Sequence, residues 1–295
     1  MTQPGWGAPP TPPQPGCVRH PDRPTALSCT RCERPACPQC LRPAAVGQHC
    51  VDCVAEGNKS LRTARTVAGG TLRSGTPVVT YTLIALNFLV YALTAVQSGN
   101  PMRNQISGLF TAWALYPPAV ADGDFFRVIG SGFLHFGPIH LALNMYALYV
   151  IGRDCELIMG RSRYLAVYVV SILGGSAAVM VFQVNAVTAG ASGAVFGLLG
   201  AQVAILLRMK RSPTPVLIVI GINVVISFSI PGISLWGHLG GLAAGTLATA
   251  GLLYTTGSDP RHGRTLGWVT IGVVAAIAVA VIVLRALTLR AQLGL

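Results

Sequence analysis

Hydrophobic and polar positions do not interleave along this chain; they fall in long blocks. Seven apolar runs lie near residues 78–98, 139–158, 164–184, 190–208, 214–230, 235–255 and 266–284. A helix rises about 1.5 Å per residue, so about 20 residues cross the roughly 30 Å of hydrocarbon in a bilayer, and each run approaches that length. The pattern predicts an all-α polytopic membrane protein. Ahead of the first run the composition is different. Residues 1–16 are mainly Pro, Gly and Gln, residues 17–54 are rich in Cys, and residues 55–77 are polar and basic. We read these as a disordered leader lacking the apolar core of a signal peptide, a small metal-binding module and a juxtamembrane linker. Residues 256–295 are expected to hold a loop, the seventh membrane helix and a short tail.

The placement of charge orients this array. Arg62, Arg65 and Arg73 precede the first run, and Arg153, Arg161 and Arg163 separate the second from the third. Arg208, Lys210 and Arg211 separate the fourth from the fifth, and Arg261 and Arg264 the sixth from the seventh. The alternate connections at 185–189 and 231–234 carry neither Lys nor Arg, and residues 99–138 carry only Arg103 and Arg127. Basic loops stay cytoplasmic, which predicts a cytoplasmic N-terminus and an exterior C-terminus in the cell membrane, with Arg285 and Arg290 counting against it. The starts of the fourth and sixth runs then face the exterior. With 10% charged and 52% hydrophobic residues and a mean hydropathy of +0.58, a soluble globule is excluded. The net charge of +12 belongs to these loops. No nucleic-acid-binding module is recognisable, and no nucleic-acid partner is expected.

Seven of the eight cysteines lie between positions 17 and 53. With His20 they make four close pairs: Cys17-x2-His20, Cys29-x2-Cys32, Cys37-x2-Cys40 and Cys50-x2-Cys53. Eight N and S ligands suit two structural Zn2+ ions, each closed by four. A disulfide framework would leave one thiol over and requires an oxidising compartment, opposite to the expected cytoplasmic side. The spacing resembles the B-box class of zinc modules, in which alternate pairs share an ion. That resemblance implies one zinc on Cys17, His20, Cys37 and Cys40 and the other on Cys29, Cys32, Cys50 and Cys53. It departs at the last pair, where B-boxes usually carry histidines, and His49 beside Cys50 leaves that ligand open. A closed site has no coordination position for substrate, so docking of a cytosolic protein partner or regulation is expected, and no cofactor for catalysis.

Candidate chemistry gathers where three runs begin. The fourth opens Gly190-Ala-Ser192-Gly193, setting a serine in the first turn of a helix, where backbone N–H groups lack intrahelical partners and the dipole favours developing negative charge. The sixth opens Ser234-Leu-Trp236-Gly237-His238, at nearly the same depth, and an ionisable residue inside a span is by default a functional candidate. Gly237, Gly241 and Gly245 form a small-residue stripe that allows close approach by a neighbour carrying Gly193, Gly197 and Gly200. Where the second run begins, His140 and Asn144 are four apart, so they share one helix face and both can donate hydrogen bonds. Each alone reads as an interhelical contact. Together they suggest Ser192 as nucleophile, His238 as general base and then acid, and an oxyanion site from the Ser192 N–H with the His140 and Asn144 side chains. The spans hold no carboxylate at the depth needed to orient His238, so a dyad is expected.

These residues resemble the rhomboid family of intramembrane serine proteases, from about Thr80 to Tyr254. The resemblance rests on Phe126-Arg127; the series His135-x4-His140-x3-Asn144; Gly152-x3-Glu156-x3-Gly160; Gly190-x-Ser192-Gly193; and His238-x2-Gly241-x3-Gly245. It implies a six-helix core over residues 78–255 with a water-filled cavity opening outward, and cleavage of single-span membrane proteins near the exterior boundary of the bilayer. Residues 99–138 become the family's half-embedded loop, and 266–284 an added seventh helix. Two positions depart from the pattern: Phe196, where the family often has Tyr, and Phe126, where it commonly has Trp.

A noncatalytic relative that binds membrane clients is the main alternative, which the intact Ser192 and His238 pair disfavours. A transporter would show ion-coupling carboxylates or broken helices. Cys155 is expected as an interfacial thiol, and Asp154 and Glu156 as solvated groups at a helix end.

Overall fold

The computed structural model describes residues 13–60, 75–230, 232–255 and 260–294. The chain divides into two compact units, residues 1–63 and 64–295. Most of the predicted leader and linker, residues 1–12 and 61–74, lies outside the described residues, as do residues 256–259 between the sixth and seventh runs.

The first unit is built from two short antiparallel hairpins and one helix. Strand β1 (Gly16–Cys17) pairs with β2 (His20–Pro24), and β3 (Leu41–Pro43) pairs with β4 (Gln48–Cys50), which leads into α1 (Val51–Ser60). Its buried centre is Cys17, Cys29, Cys37, Cys40, Cys50 and Cys53 with only Ala36 and Leu41 beside them. So small an apolar core cannot hold a domain together unaided, and thiols occupy the place of a hydrophobic interior. Helix α1 runs past the expected module boundary at 54, so residues 55–60 are helical where linker was expected.

In the second unit every apolar run is a helix: α2 (Val78–Ser98), α6 (Gly137–Ala147) continued by α7 (Arg153–Met159), α8 (Arg161–Phe182), α9 (Ser192–Arg208), α10 (Thr214–Ser229), α11 (Leu235–Tyr254) and α12 (Pro260–Leu293). A π turn over Leu148–Gly152 joins α6 to α7. Among the described residues three helices, Val78–Ser98, Arg161–Phe182 and Thr265–Leu293, are long and apolar enough to span a bilayer singly. A fourth arises if α6–α7 is joined to the preceding Arg127–Phe133 across a 90° bend, and α9 and α10 are shorter apolar helices. The outer faces of α2, α10 and α12 expose Phe88, Leu89, Ile222, Phe228, Ile277 and Leu284. Water would penalise such a surface, whereas hydrocarbon does not. The chain is a multi-pass membrane protein.

Glycine sets how closely α8, α9 and α11 pack. A Cβ at Gly241 would collide with the Gly193 carbonyl oxygen, one at Gly245 with that of Gly197, and one at Gly175 would lie 2.7 Å from the Gly237 carbonyl oxygen. Backbone thus lies directly on backbone, and the stripe read from the sequence faces α9 at Gly241 and Gly245 but α8 at Gly237.

Between α2 and α6 the chain forms α3 (Gly108–Trp113), α4 (Pro117–Ala121), α5 (Arg127–Gly130) and 3-10 turns. The Arg127 guanidinium holds this loop, donating to the Thr111 and Ala114 carbonyls at 2.6 and 3.0 Å and to the Asp124 carboxylate. Phe126 meets Trp113 edge to face at 4.8 Å. A bridge between Leu115 and Thr188 and the bond from Gly190 N–H to the Ser131 carbonyl tie the loop to the entrance of α9.

Two expectations are corrected here. Glu156 is buried, not solvated: its carboxylate accepts from the Val79 and Thr80 N–H groups and the Thr80 hydroxyl at 2.8–3.0 Å. The unpaired donors and positive dipole end of α2 replace the water that a buried carboxylate loses. Cys155 is fully buried, its Sγ 3.6 Å from the Leu198 carbonyl, and is no interfacial thiol.

Candidate active site and metal centres

Ser192 is the first residue of α9, and the chain reaches it through Gly190 at φ +138°, a conformation that L side chains rarely adopt. His238 lies in the first turn of α11, whose start is capped by the Ser234 hydroxyl accepting from the Gly237 N–H at 3.0 Å. The two side chains line one cleft, which Ser131, Ser176 and Ser234 also line. The Ser234 hydroxyl also donates to the Gln183 side chain. The imidazole of His238, 7% exposed, stacks on Phe196 at 4.2 Å and 10° between planes. This contact needs a ring and not a hydroxyl, so phenylalanine supplies it. Among the described residues no direct hydrogen bond joins Ser192 to His238.

His140 approaches the same place from α6. A Cβ built on Gly190 would lie 3.0 Å from His140 Nε2 and 3.5 Å from Ser192 Oγ, so glycine leaves the room in which imidazole and hydroxyl converge. The Phe136 N–H donates to His140 Nδ1 at 3.2 Å. A backbone N–H can only donate, so Nδ1 accepts and the ring proton of neutral His140 sits on Nε2, the nitrogen nearest Gly190. Asn144 is buried and its Nδ2 donates to the His140 carbonyl at 2.9 Å, which leaves its second N–H for another acceptor. His135 packs edge to face on His140 at 5.2 Å with neither ring nitrogen hydrogen-bonded among the described residues.

Sequence reasoning missed one contact of His238. Ser227, near the end of α10, places Oγ 2.7 Å from His238 Nδ1, so a hydroxyl and not a carboxylate meets the imidazole on that side. Asn223 and Ser227, four apart in an otherwise apolar helix, were the available signal.

In the first unit, Cys17, His20, Cys37 and Cys40 form one cluster and Cys29, Cys32, Cys50 and Cys53 a second, each with its ligand atoms within 4.8 Å of one another. His20 Nδ1 lies 3.3–3.9 Å from the three sulfurs of its set, and Cys32 and Cys50 sulfurs are 3.8 Å apart. A tetrahedron with metal–sulfur bonds of about 2.3 Å separates its corners by roughly 3.8 Å, so both sets fit one ion each. His49 pairs with Arg42 in the β3–β4 ladder and belongs to neither cluster. Without a cation the thiols titrate apart. Cys17 is lowered to about 6, chiefly by a backbone bond from Cys37, whereas burial raises Cys40 to about 11 and a bond with Cys32 followed by burial raises Cys53 to about 12. Metal binding requires every sulfur as thiolate, and three sulfurs with an imidazole in one set and four sulfurs in the other lie close enough for either cluster to hold a metal ion.

The rhomboid domain family matches residues 122–255, the stretch holding Ser192, His238, His140 and Asn144. The rhomboid protease GluP of Bacillus subtilis is 33% identical over 193 residues, covering 64% of this chain and 37% of that protein. The rhomboid protease AarA of Providencia stuartii is 32% identical, covering 48% and 57%. The putative rhomboid protease YdcA of Bacillus subtilis is 30% identical over 179 residues, 58% of this chain and 86% of that protein. The chain thus spans between about a third and three fifths of the first two of these relatives and most of the third. With the helices, the glycine contacts and the Ser192 cleft already in place, the chain belongs to the rhomboid family.

Proposed function

We propose that this protein is an intramembrane serine endopeptidase, with Ser192 as nucleophile and His238 as general base, acting on single-span membrane proteins. The observation that carries this reading is that Ser192 and His238 line one cleft with Gly190, the glycine that His140 Nε2 approaches from α6. His238 Nε2 takes the Ser192 proton as Oγ bonds to the scissile carbonyl carbon, whose π electrons move to oxygen. The Ser192 N–H at the start of α9, His140 Nε2–H and the free Asn144 N–H are the donors for that oxyanion. Collapse breaks the C–N bond, and His238 returns the proton to the departing amine. Water, deprotonated by the same imidazole, then bonds to the acyl carbon, and His238 returns the proton to Ser192 Oγ as the Oγ–C bond breaks. Catalytic hydrogen bonds are often long before substrate arrives, so the missing Ser192 to His238 bond is compatible with this sequence of steps. It is also the one observation that favours the alternative, a client-binding rhomboid relative without activity.

By the distribution of Lys and Arg, the N-terminal module faces the cytoplasm and the cleft opens to the exterior face, where the boundary of a substrate span would be cut. The core is residues 78–255, with α12 added. The two Cys/His sets suit structural Zn2+, because thiolate and imidazole in closed tetrahedra are its preferred ligands. Closed sites assign the module to docking a cytosolic protein and not to chemistry.

Purified protein in liposomes with a model single-span substrate tests the reading. Wild type should cut within or at the edge of the span, and absence of cleavage with stable co-purification would favour client binding. In the same assay Asn144→Ala should lower kcat about 10- to 1000-fold, the scale of losing one oxyanion donor. Unchanged turnover would remove Asn144 from that role.

A further inference from the structure

Ser227 is the only buried residue of α10, a helix whose remaining side chains are half-buried or exposed. It is 5% exposed and makes two short contacts, 2.6 Å to the Asn223 carbonyl and 2.7 Å to His238 Nδ1. A serine hydroxyl has one proton and lone pairs that accept. The Asn223 carbonyl can only accept, so the proton of Ser227 is committed to it. Toward His238 the oxygen therefore accepts, and His238 Nδ1 carries the ring proton. The opposite arrangement would set two lone-pair oxygens 2.6 Å apart with nothing between them.

We propose that Ser227 is a positioning residue that fixes His238 as its Nδ1–H tautomer, leaving Nε2 as the lone-pair base, in the place where soluble serine hydrolases use a carboxylate. The inference rests on the protease reading above. It makes the two histidines of the site opposites: Phe136 N–H sets His140 with its proton on Nε2, fit to donate to an oxyanion, and Ser227 sets His238 with Nε2 free to accept from Ser192. When His238 takes the proton it becomes a cation, and its bond to Ser227 becomes charge-assisted and stronger. The bond gains strength along the reaction, which is the condition for it to raise kcat and not only tighten binding. Ser227 is also two residues from the C-terminal end of α10, whose partial negative charge favours the imidazolium. A neutral hydroxyl suits this depth, because a carboxylate there would bear a large desolvation cost.

The test uses the full-length protein in liposomes with wild type, Ser227→Ala, Ser227→Thr and, as the inactive control, Ser192→Ala. Ser227→Ala should lower kcat about 10- to 100-fold with KM changed less than about threefold, the scale of losing a hydrogen bond to a charged group. Ser227→Thr keeps a hydroxyl able to bond the carbonyl four residues back and should recover to within about fivefold of wild type. Equal kcat in wild type and folded Ser227→Ala would overturn the assignment, as would an equal loss in Ala and Thr. Histidine-selective 15N NMR of the wild-type protein reads the tautomer without any variant at Ser227, His238 being assigned by its signal's disappearance in His238→Gln. A protonated Nδ1 is expected, and a protonated Nε2 in the neutral ring overturns the proposal. If wild type does not cleave at all, the protease reading fails while the NMR result still decides the tautomer.

Discussion

Replacing His238 with alanine should lower turnover of a membrane-embedded substrate by about 10⁴-fold or more, and Ser192→Ala should do the same, the scale of removing base or nucleophile from a serine hydrolase. The size follows from how the parts depend on one another. A neutral serine hydroxyl is a weak nucleophile, and among the described residues His238 is the only titratable side chain lining the cleft with Ser192. Cysteine, lysine or a carboxylate that could substitute is not among the lining residues. The double variant should therefore be no slower than either single one, because both remove the same step. Both variants should remain folded. The packing of α9 on α11 rests on Gly193, Gly197, Gly241 and Gly245, which neither substitution touches. The measurement is single-turnover cleavage in liposomes together with thermal melting of each variant. Turnover by His238→Ala within tenfold of wild type, in a folded protein, would contradict the role given to the imidazole.

Metal removal should have an effect as large on the other unit and none on this one. The centre of the N-terminal unit is six buried cysteines with Ala36 and Leu41, and so few apolar side chains cannot offset the entropy of ordering the chain. Structural zinc supplies apparent folding free energies of about 10–16 kcal/mol in small modules at neutral pH. Dialysis of the full chain against a strong chelator should therefore unfold residues 17–54, seen as rapid trypsin cleavage after Arg19 and Arg31, the arginines of the module not followed by proline. Metal analysis before treatment should give about two zinc equivalents per chain. Proteolysis of a generic substrate should persist, since none of the eight ligands lies among the residues of the cleft. A module that stays protease-resistant after its metal is gone would refute the account of what holds it together.

Much of this site was legible before any coordinates, for reasons that differ from residue to residue. The two Cys/His sets are readable because C-x2-C spacing is local geometry, and the alternation of pairs implied by the B-box likeness is the sorting seen in the two clusters, each able to hold a metal ion. Ser192 and His238 are readable because polar groups are costly in spans, so each stands out against an apolar background. Glu156 was misread for the same local reason. A carboxylate at a helix end looks solvated until the partner 76 residues earlier, the start of α2, is known to lie against it. Ser227 was passed over because a hydroxyl in a membrane helix normally bonds its own backbone, and this one does so as well; only the coordinates reveal that its oxygen also meets His238. Depth along a helix could be estimated from run boundaries, but which face of α10 turns inward could not. A helix with one buried side chain has too weak a periodic signal.

The most direct test of the central claim is to treat the wild-type protein with a fluorophosphonate and measure its intact mass and adduct site. The reagent bonds to a serine oxygen as fluoride leaves, so it reports an activated nucleophile without needing the natural substrate. One adduct per chain on the peptide carrying Ser192, none in Ser192→Ala and a much slower reaction in His238→Ala is the predicted result. An adduct at another residue, or equal labelling of Ser192 with and without His238, would contradict the account.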